Sequence, residues 1–88
     1  MRLLVVDDSK SVHAFIDGLF ASTPHELVHV YDGSEAVALL KQTREVFDII
    51  LMDWEMPILN GPDAVEQLRN SDIETPILMV TTKNDPDS

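Results

Sequence analysis

Short, almost continuous aliphatic runs alternate with helix-type patterns along this 88-residue chain. The runs at 2–6, 47–52 and 76–80 have the length of strands, and the segments between them carry apolar residues at helical spacing. This alternation is typical of βαβ units, in which helices join parallel strands. A strand that is apolar at nearly every position suits the interior of such a sheet, because it is buried on both faces. The chain is therefore predicted to be an α/β protein.

The pattern predicts four strands and three helices within one domain spanning residues 1–88. The predicted strands are 2–6, 26–31, 47–52 and 76–80. The first helix begins after Asp8 or Ser9, either of which can cap it, and ends before Thr23-Pro24. The second follows a turn at 32–34 and ends near Thr43, and Pro62 opens the third. The apolar stripe of the first helix consists of Val12, Phe15, Ile16, Leu19 and Phe20.

Charge and composition exclude several classes of partner. Sixteen acidic residues against six basic ones give a formal net charge of −10, which repels nucleic acids and anionic membranes. The chain has no cysteine for a disulfide or a thiolate metal site. No apolar run approaches the ~20 residues of a membrane span, and the start of the chain is too short for a signal peptide. A cytoplasmic protein is expected.

Acidic residues follow two of the predicted strands directly. Asp7 and Asp8 come after the first strand, and Asp53 comes after the third. The carboxyl ends of parallel strands meet at one edge of a sheet, where open α/β sheets bind ligands. Three carboxylates there supply the hard oxygen ligands that Mg²⁺ prefers. The alternatives are ordinary capping of the first helix by 7–9 and a strand-end turn at Asp53.

Three stretches carry a resemblance to a known family. They are LLVVDDS at 3–9, DIILMDWEMPILNG at 48–61 and TPILMVTT at 75–82. In this order and spacing they resemble the receiver domains of two-component response regulators, especially the chemotaxis type, which also has a Trp after its acceptor aspartate. The resemblance implies a flavodoxin-like, three-layer α/β sandwich with parallel strand order 2-1-3-4, lacking the fifth strand and the last helices of the family.

The resemblance also implies roles for single residues. Asp53 would accept a phosphoryl group from a histidine kinase, a phosphotransfer protein or a small phosphodonor. Asp8, Asp53 and the backbone carbonyl of Glu55 would ligate Mg²⁺, and Asp7 would assist directly or through water. Thr81 would donate a hydrogen bond to a phosphoryl oxygen. Metal and donors in these places neutralise the charge that develops during phosphoryl transfer.

The chain departs from the family beyond its fourth predicted strand. The fifth-strand lysine and the switch aromatic have no counterpart; no residue can be assigned to the lysine, and Lys10 and Lys83 are conceivable replacements. Glu55 and Lys83 hold positions that border the phosphoryl group in receivers, although a solvated pair is the alternative. An uncovered fourth strand and first helix predict self-association, as a homodimer or a larger assembly.

Two other functions compete with a signalling receiver. The first is a receiver core that serves only as a binding or oligomerisation module. The second is a phosphatase of the haloacid-dehalogenase type, which Asp53-Trp54-Glu55 loosely imitates, but there the motif ends the first strand rather than the third. We do not expect the protein to be an enzyme. The histidines at 13, 25 and 29 are expected to be structural, and Trp54 is expected to lie partly exposed beside the metal.

Overall fold

The computed structural model of the protein describes residues 1–42, 46–56 and 58–80. Within these residues it contains four strands and three helices, in the predicted order. They are β1 (Arg2–Val6), α1 (Lys10–Phe20), β2 (Glu26–Val30), α2 (Gly33–Gln42), β3 (Ile49–Asp53), α3 (Gly61–Asn70) and β4 (Ile77–Val80). None of these helices is long and apolar enough to cross a bilayer.

The strands form one parallel sheet in the order β2-β1-β3-β4, which confirms the predicted topology. In the two ladders of β1, Val6 lies beside Val30 and beside Met52. In the ladder between β3 and β4, Asp53 lies beside Val80. All four strands therefore end at the same edge of the sheet, with β1 and β3 next to each other at its centre.

One face of the sheet packs against α2 and α3. Leu4, Val6, Ile50 and Met52 alternate with residues that point the other way, as expected for strands with a two-residue period. Burying these aliphatic side chains is the main contribution to the stability of the fold. The core cluster also contains Val30, Ala36, Val37, Phe47, Met56, Ala64 and Leu68.

The opposite face of the sheet is covered only by α1 within the described residues. An apolar groove of about 320 Å³ remains between this helix and the strands β3 and β4. Phe15 is 66% exposed and Leu19 is 61% exposed, although both belong to the predicted apolar stripe. The groove is lined by Val12, Phe15, Ile16, Leu19, Phe20, Leu51, Leu78 and Val80.

The third strand differs from its prediction at both ends. Phe47 is buried but lies before the ladder, with the Arg2 guanidinium 5.2 Å from the centre of its ring. The Asp48 carboxylate accepts a hydrogen bond from the Arg2 backbone N–H at 2.7 Å. At the other end, Asp53 is the last residue of β3 rather than the first residue after it. Its backbone is therefore held by the ladder with β4.

Candidate functional site

The site begins where β1 passes into α1. The Asp7 carboxylate accepts a hydrogen bond from the Ser9 backbone N–H at 2.8 Å. Ser9 is the residue that caps α1, since its hydroxyl accepts from the Val12 N–H at 3.4 Å. Of the two capping candidates predicted from the sequence, Ser9 is thus the one observed, and the Asp8 side chain is exposed. The turn brings both acidic side chains to the C-terminal edge of the sheet.

The second part of the site is Asp53 and the loop that follows it. Asp53 is 2% exposed, which is unusual for a carboxylate. Behind it, the Gly61 N–H donates to the Trp54 carbonyl at 2.9 Å. Asn60 caps α3 by accepting from the Asp63 N–H at 2.9 Å. The loop is therefore anchored to α3 directly behind the buried carboxylate.

The three carboxylates converge. Asp7, Asp8 and Asp53 each offer an oxygen, and these oxygens lie within 4.8 Å of one another. The register explains this, because Asp7 and Asp53 each come one residue after the paired residues Val6 and Met52, on adjacent strands about 4.8 Å apart. Asp7, like Asp53, is almost completely buried, at 3% exposed.

The chemistry of this donor set fits a hard divalent cation. Carboxylate oxygens are the ligands that Mg²⁺ prefers, and Mg²⁺ keeps some of its waters when one or two carboxylates hold it. Like charges this close repel, and burial of two of them strengthens the repulsion because less water screens it. A cation bound among them would relieve that repulsion. The residues present can therefore hold a metal.

The other predicted site residues are placed only in part. Trp54 is 52% exposed directly after the buried aspartate, as expected. Glu55 is also exposed, and Lys10 is exposed at the start of α1. Thr81 and Lys83 lie outside the described residues. The roles predicted for Thr81, for Lys83 and for the Glu55 carbonyl thus remain predictions.

Sequence reasoning missed a group of residues next to the site. His13 is 3% exposed, and its Nε2 lies 2.8 Å from the Asp7 carbonyl oxygen. Its Nδ1 contacts the Nδ1 of His29. The apolar neighbours of His13 in the sequence indicated an ordinary core position. No spacing motif signals the contact, since it joins α1 to β2.

The family model of the response regulator receiver domain matches residues 3–88. The chain belongs to this family. The receiver assignment made from the three sequence stretches is confirmed, together with the α/β fold.

Individual relatives show how far the similarity extends. The chain is 38% identical over 88 residues to the CAI-1 autoinducer sensor kinase/phosphatase CqsS of Vibrio cholerae, covering 97% of this chain and 12% of that protein. It is 35% identical over 86 residues to a chemotaxis protein CheY homolog of Campylobacter jejuni, covering 94% of this chain and 65% of that protein. The chain thus spans less than two thirds of either relative.

A solved structure relates the fold to a metal. The receiver domain of the histidine kinase CKI1 from Arabidopsis thaliana was solved as a complex with Mg²⁺ and BeF₃⁻. Its TM-score with this chain is 0.80 at 25% identity, covering 96% of this chain and 67% of that one. A receiver of the same fold therefore binds Mg²⁺, and this chain has an acidic cluster able to hold a metal.

Proposed function

We propose that this receiver domain is a phosphoacceptor that takes a phosphoryl group onto Asp53 in the presence of Mg²⁺. The observation that carries the proposal is the convergence of the Asp7, Asp8 and Asp53 carboxylates, two of them buried, at the C-terminal edge of the sheet. Helix capping explains Asp7 and Ser9, but it does not explain a buried carboxylate at the end of β3. The acceptor role of Asp53 accounts for that position.

The reaction is a displacement at phosphorus. A carboxylate oxygen of Asp53 attacks the phosphoryl group of the donor, a new O–P bond forms, and the P–N bond of a phosphohistidine, or the P–O bond of a small phosphodonor, breaks. The donor leaves with its electron pair and takes up a proton, and Asp53 becomes an acyl phosphate. This chain contributes mainly positioning, since phosphoryl transfer needs alignment and charge neutralisation rather than a strong base.

Asp7, Asp8 and Asp53, with the backbone carbonyl of Glu55, are the groups proposed to hold Mg²⁺. Bound there, Mg²⁺ would neutralise the charge that develops on the transferring phosphoryl group. Thr81 would donate its hydroxyl to a phosphoryl oxygen. The donor would be a histidine kinase or a phosphotransfer protein, and the chain itself would be the acceptor of the group rather than an enzyme acting on a separate substrate.

Intact-mass spectrometry after incubation with Mg²⁺ and a small phosphodonor such as acetyl phosphate tests the proposal. One phosphoryl adduct is expected on the parent protein, and none is expected on Asp53→Asn. Asp63→Asn is the matched control, because Asp63 is an exposed aspartate in the first turn of α3. An unmodified parent protein, or an adduct that persists in Asp53→Asn, would contradict the proposal.

A specific observation favours one other function. The groove beside α1 is lined entirely by apolar side chains, three of which, Phe15, Leu19 and Leu78, are more than half exposed. Exposed apolar patches are typical of interaction surfaces. A receiver core that only binds or assembles would keep this surface and form no adduct at Asp53. The mass measurement therefore separates the two functions.

A further inference from the structure

His13 is the buried polar residue on α1 that the phosphoacceptor chemistry does not use. In the described part of the chain, the other buried polar side chains are those of Asp7 and Asp53. Both ring nitrogens of His13 are engaged, Nε2 with the Asp7 carbonyl and Nδ1 with His29. The Tyr31 ring packs against the same imidazole, with ring centres 4.3 Å apart. Contacts on three sides therefore fix the orientation of the His13 ring.

The contact continues outward to the protein surface. His29 Nε2 lies 2.8 Å from a carboxylate oxygen of Asp17, which is one helical turn after His13 on α1. We name this series of contacts, from Asp17 through His29 and His13 to the Asp7 carbonyl, the histidine chain. Its outer end is solvent-accessible, since the Asp17 side chain is 57% exposed. Its inner end is the backbone of the acidic cluster.

Hydrogen-bond accounting shows why the carboxylate of Asp17 belongs to the histidine chain. The two ends of the histidine chain, the Asp17 carboxylate and the Asp7 carbonyl, are oxygen acceptors. His29 Nε2 and His13 Nε2, which face them, must therefore each donate. The Asp17 carboxylate can only accept, so it holds the His29 ring from the outside as the Asp7 carbonyl holds the His13 ring from the inside.

The inner end of the histidine chain acts on the peptide between the two adjacent acids. The ladders of β1 stop at Val6, and the Asp7 N–H donates a long hydrogen bond of 3.3 Å to the Val30 carbonyl. The His13 hydrogen bond holds the Asp7 carbonyl just beyond that point. Because a peptide unit is planar from one Cα to the next, fixing this oxygen orients the Cα atoms of both Asp7 and Asp8.

We propose that His13 is a positioning residue that holds the Asp7–Asp8 peptide in the orientation in which both carboxylates face Asp53, and that His29 and Asp17 hold the His13 ring. The inference rests on the proposed function, since the carboxylates matter as cation ligands. His13 itself does not touch the cation. Partners behind a metal ligand typically change metal affinity 10- to 100-fold when they are removed.

Titration of Mg²⁺, followed by Trp54 fluorescence, tests this role without requiring phosphorylation. His13→Leu is expected to weaken Mg²⁺ binding by about tenfold or more. His13→Gln can still place an N–H donor near the Asp7 carbonyl, so it should recover most of the affinity. His25→Leu is the matched control, because His25 bonds the N-terminal amine at 2.9 Å, away from the acidic cluster. It should bind as the parent does.

Asp17→Asn keeps the inference testable if His13→Leu does not fold, because the change is at an exposed helix position. We expect it to weaken Mg²⁺ binding several-fold in the parent and to have no further effect when combined with His13→Leu or His13→Gln. Such non-additivity would show that Asp17 and His13 act through the same series of contacts. If the two substitutions acted independently, their effects on Mg²⁺ affinity would add.

The outcomes separate the inference from the function on which it rests. Equal Mg²⁺ affinity in the parent, His13→Leu and Asp17→Asn would overturn the role of the histidine chain and leave the cation site intact. Weakened binding in His13→Gln equal to that in His13→Leu would likewise overturn it. A parent protein whose fluorescence and thermal stability do not respond to tens of millimolar Mg²⁺ would overturn the cation site and, with it, the positioning role.

Discussion

Asp53 combines two properties that carboxylates rarely share, almost complete burial and close contact with like charges. A cation that binds only the folded protein stabilises it by mass action. We therefore expect Mg²⁺ at about ten times its dissociation constant to raise the free energy of unfolding by about 1.4 kcal/mol. Asp53→Asn should lose this increment, because it removes a proposed ligand.

Thermal or urea unfolding with and without Mg²⁺ measures the increment. Asp63→Asn serves as the control, since it removes one negative charge at an exposed position on α3. It should keep the full effect of Mg²⁺. Equal increments in both variants would mean that the ion acts by general screening of the −10 net charge rather than at the acidic cluster.

Asp32 provides a pH-dependent contribution to the stability of α2. Its carboxylate accepts hydrogen bonds from the Ser34 hydroxyl and from the Glu35 N–H, which together hold the pKa of Asp32 below its ordinary value. A carboxyl group whose pKa is lower in the folded than in the unfolded protein stabilises the fold above the unfolded pKa. That stabilisation is lost as the pH falls through the folded pKa.

Asp32 precedes the first residue of α2 and accepts from the Glu35 N–H in its first turn, so it acts as the N-terminal cap of that helix. Asp32→Ala should accordingly lower the free energy of unfolding by about 1 kcal/mol at neutral pH, the usual effect of losing such a cap. The difference from the parent should shrink as the pH falls below ~4, near the pKa of an unfolded aspartate. Urea unfolding at successively lower pH gives both values. Glu66→Ala, at an exposed position in the middle of α3, is the control; a pH-dependent loss of the same size there would contradict the capping role.

The sequence predicted that the carboxylates of the site would meet, but it did not predict the histidine contacts beside them. The meeting of Asp7 with Asp53 requires only that two parallel strands end at one edge, and a pattern of apolar runs predicts that. The His13–His29 contact requires the register of β2 against β1 and the rotation of α1 about its axis. Neither quantity leaves a local signature, so the histidines were indistinguishable from ordinary structural residues.

Among the elements, the start of α3 packs closely against the end of β3 at Gly61. A Cβ atom at Gly61 would lie 2.3 Å from the Asp53 carbonyl oxygen and 2.7 Å from the Met79 Cε. We expect Gly61→Ala to lower the free energy of unfolding by about 1–3 kcal/mol, the typical effect of overpacking, because backbone cannot move aside cheaply. It should also weaken Mg²⁺ binding, since the displaced backbone belongs to Asp53.

Gly18 is the matched control for that substitution. It lies within α1, and a Cβ atom there would have nothing within 4 Å. Gly18→Ala should therefore stabilise the protein by about 0.5–1 kcal/mol, through helix propensity alone. Urea unfolding of both variants gives the comparison. Changes of the same sign would show that packing at the β3–α3 loop does not constrain the site.

Element boundaries were less predictable than element types. The aliphatic run at 47–52 indicated a strand, but hydrogen bonding places the strand at Ile49–Asp53. Phe47 is buried beneath Arg2 without belonging to the ladder, so its hydrophobicity gave no information about pairing. The apolar stripe of α1 identified a helix correctly, yet it could not show that Phe15 and Leu19 would be mostly exposed.

At the scale of the whole molecule, a strong negative charge coexists with an apolar surface. The groove beside α1 is apolar, and β4 is an edge strand of the sheet, paired only with β3 within the described residues. Edge strands and exposed apolar patches both favour association. The net charge of −10 on each copy opposes it. Self-association through this surface should therefore depend on ionic strength.

We expect the protein to form a homodimer or larger assembly whose population grows with protein concentration and with added NaCl, because salt screens the repulsion between copies. Sedimentation velocity over a range of both measures this. Leu19→Gln should shift the equilibrium toward monomer, whereas Val46→Gln, at an exposed apolar residue outside the groove, should not. A monomer at every concentration and salt level would rule out this surface as an interface between copies, and equal responses of the two variants would place the contact elsewhere.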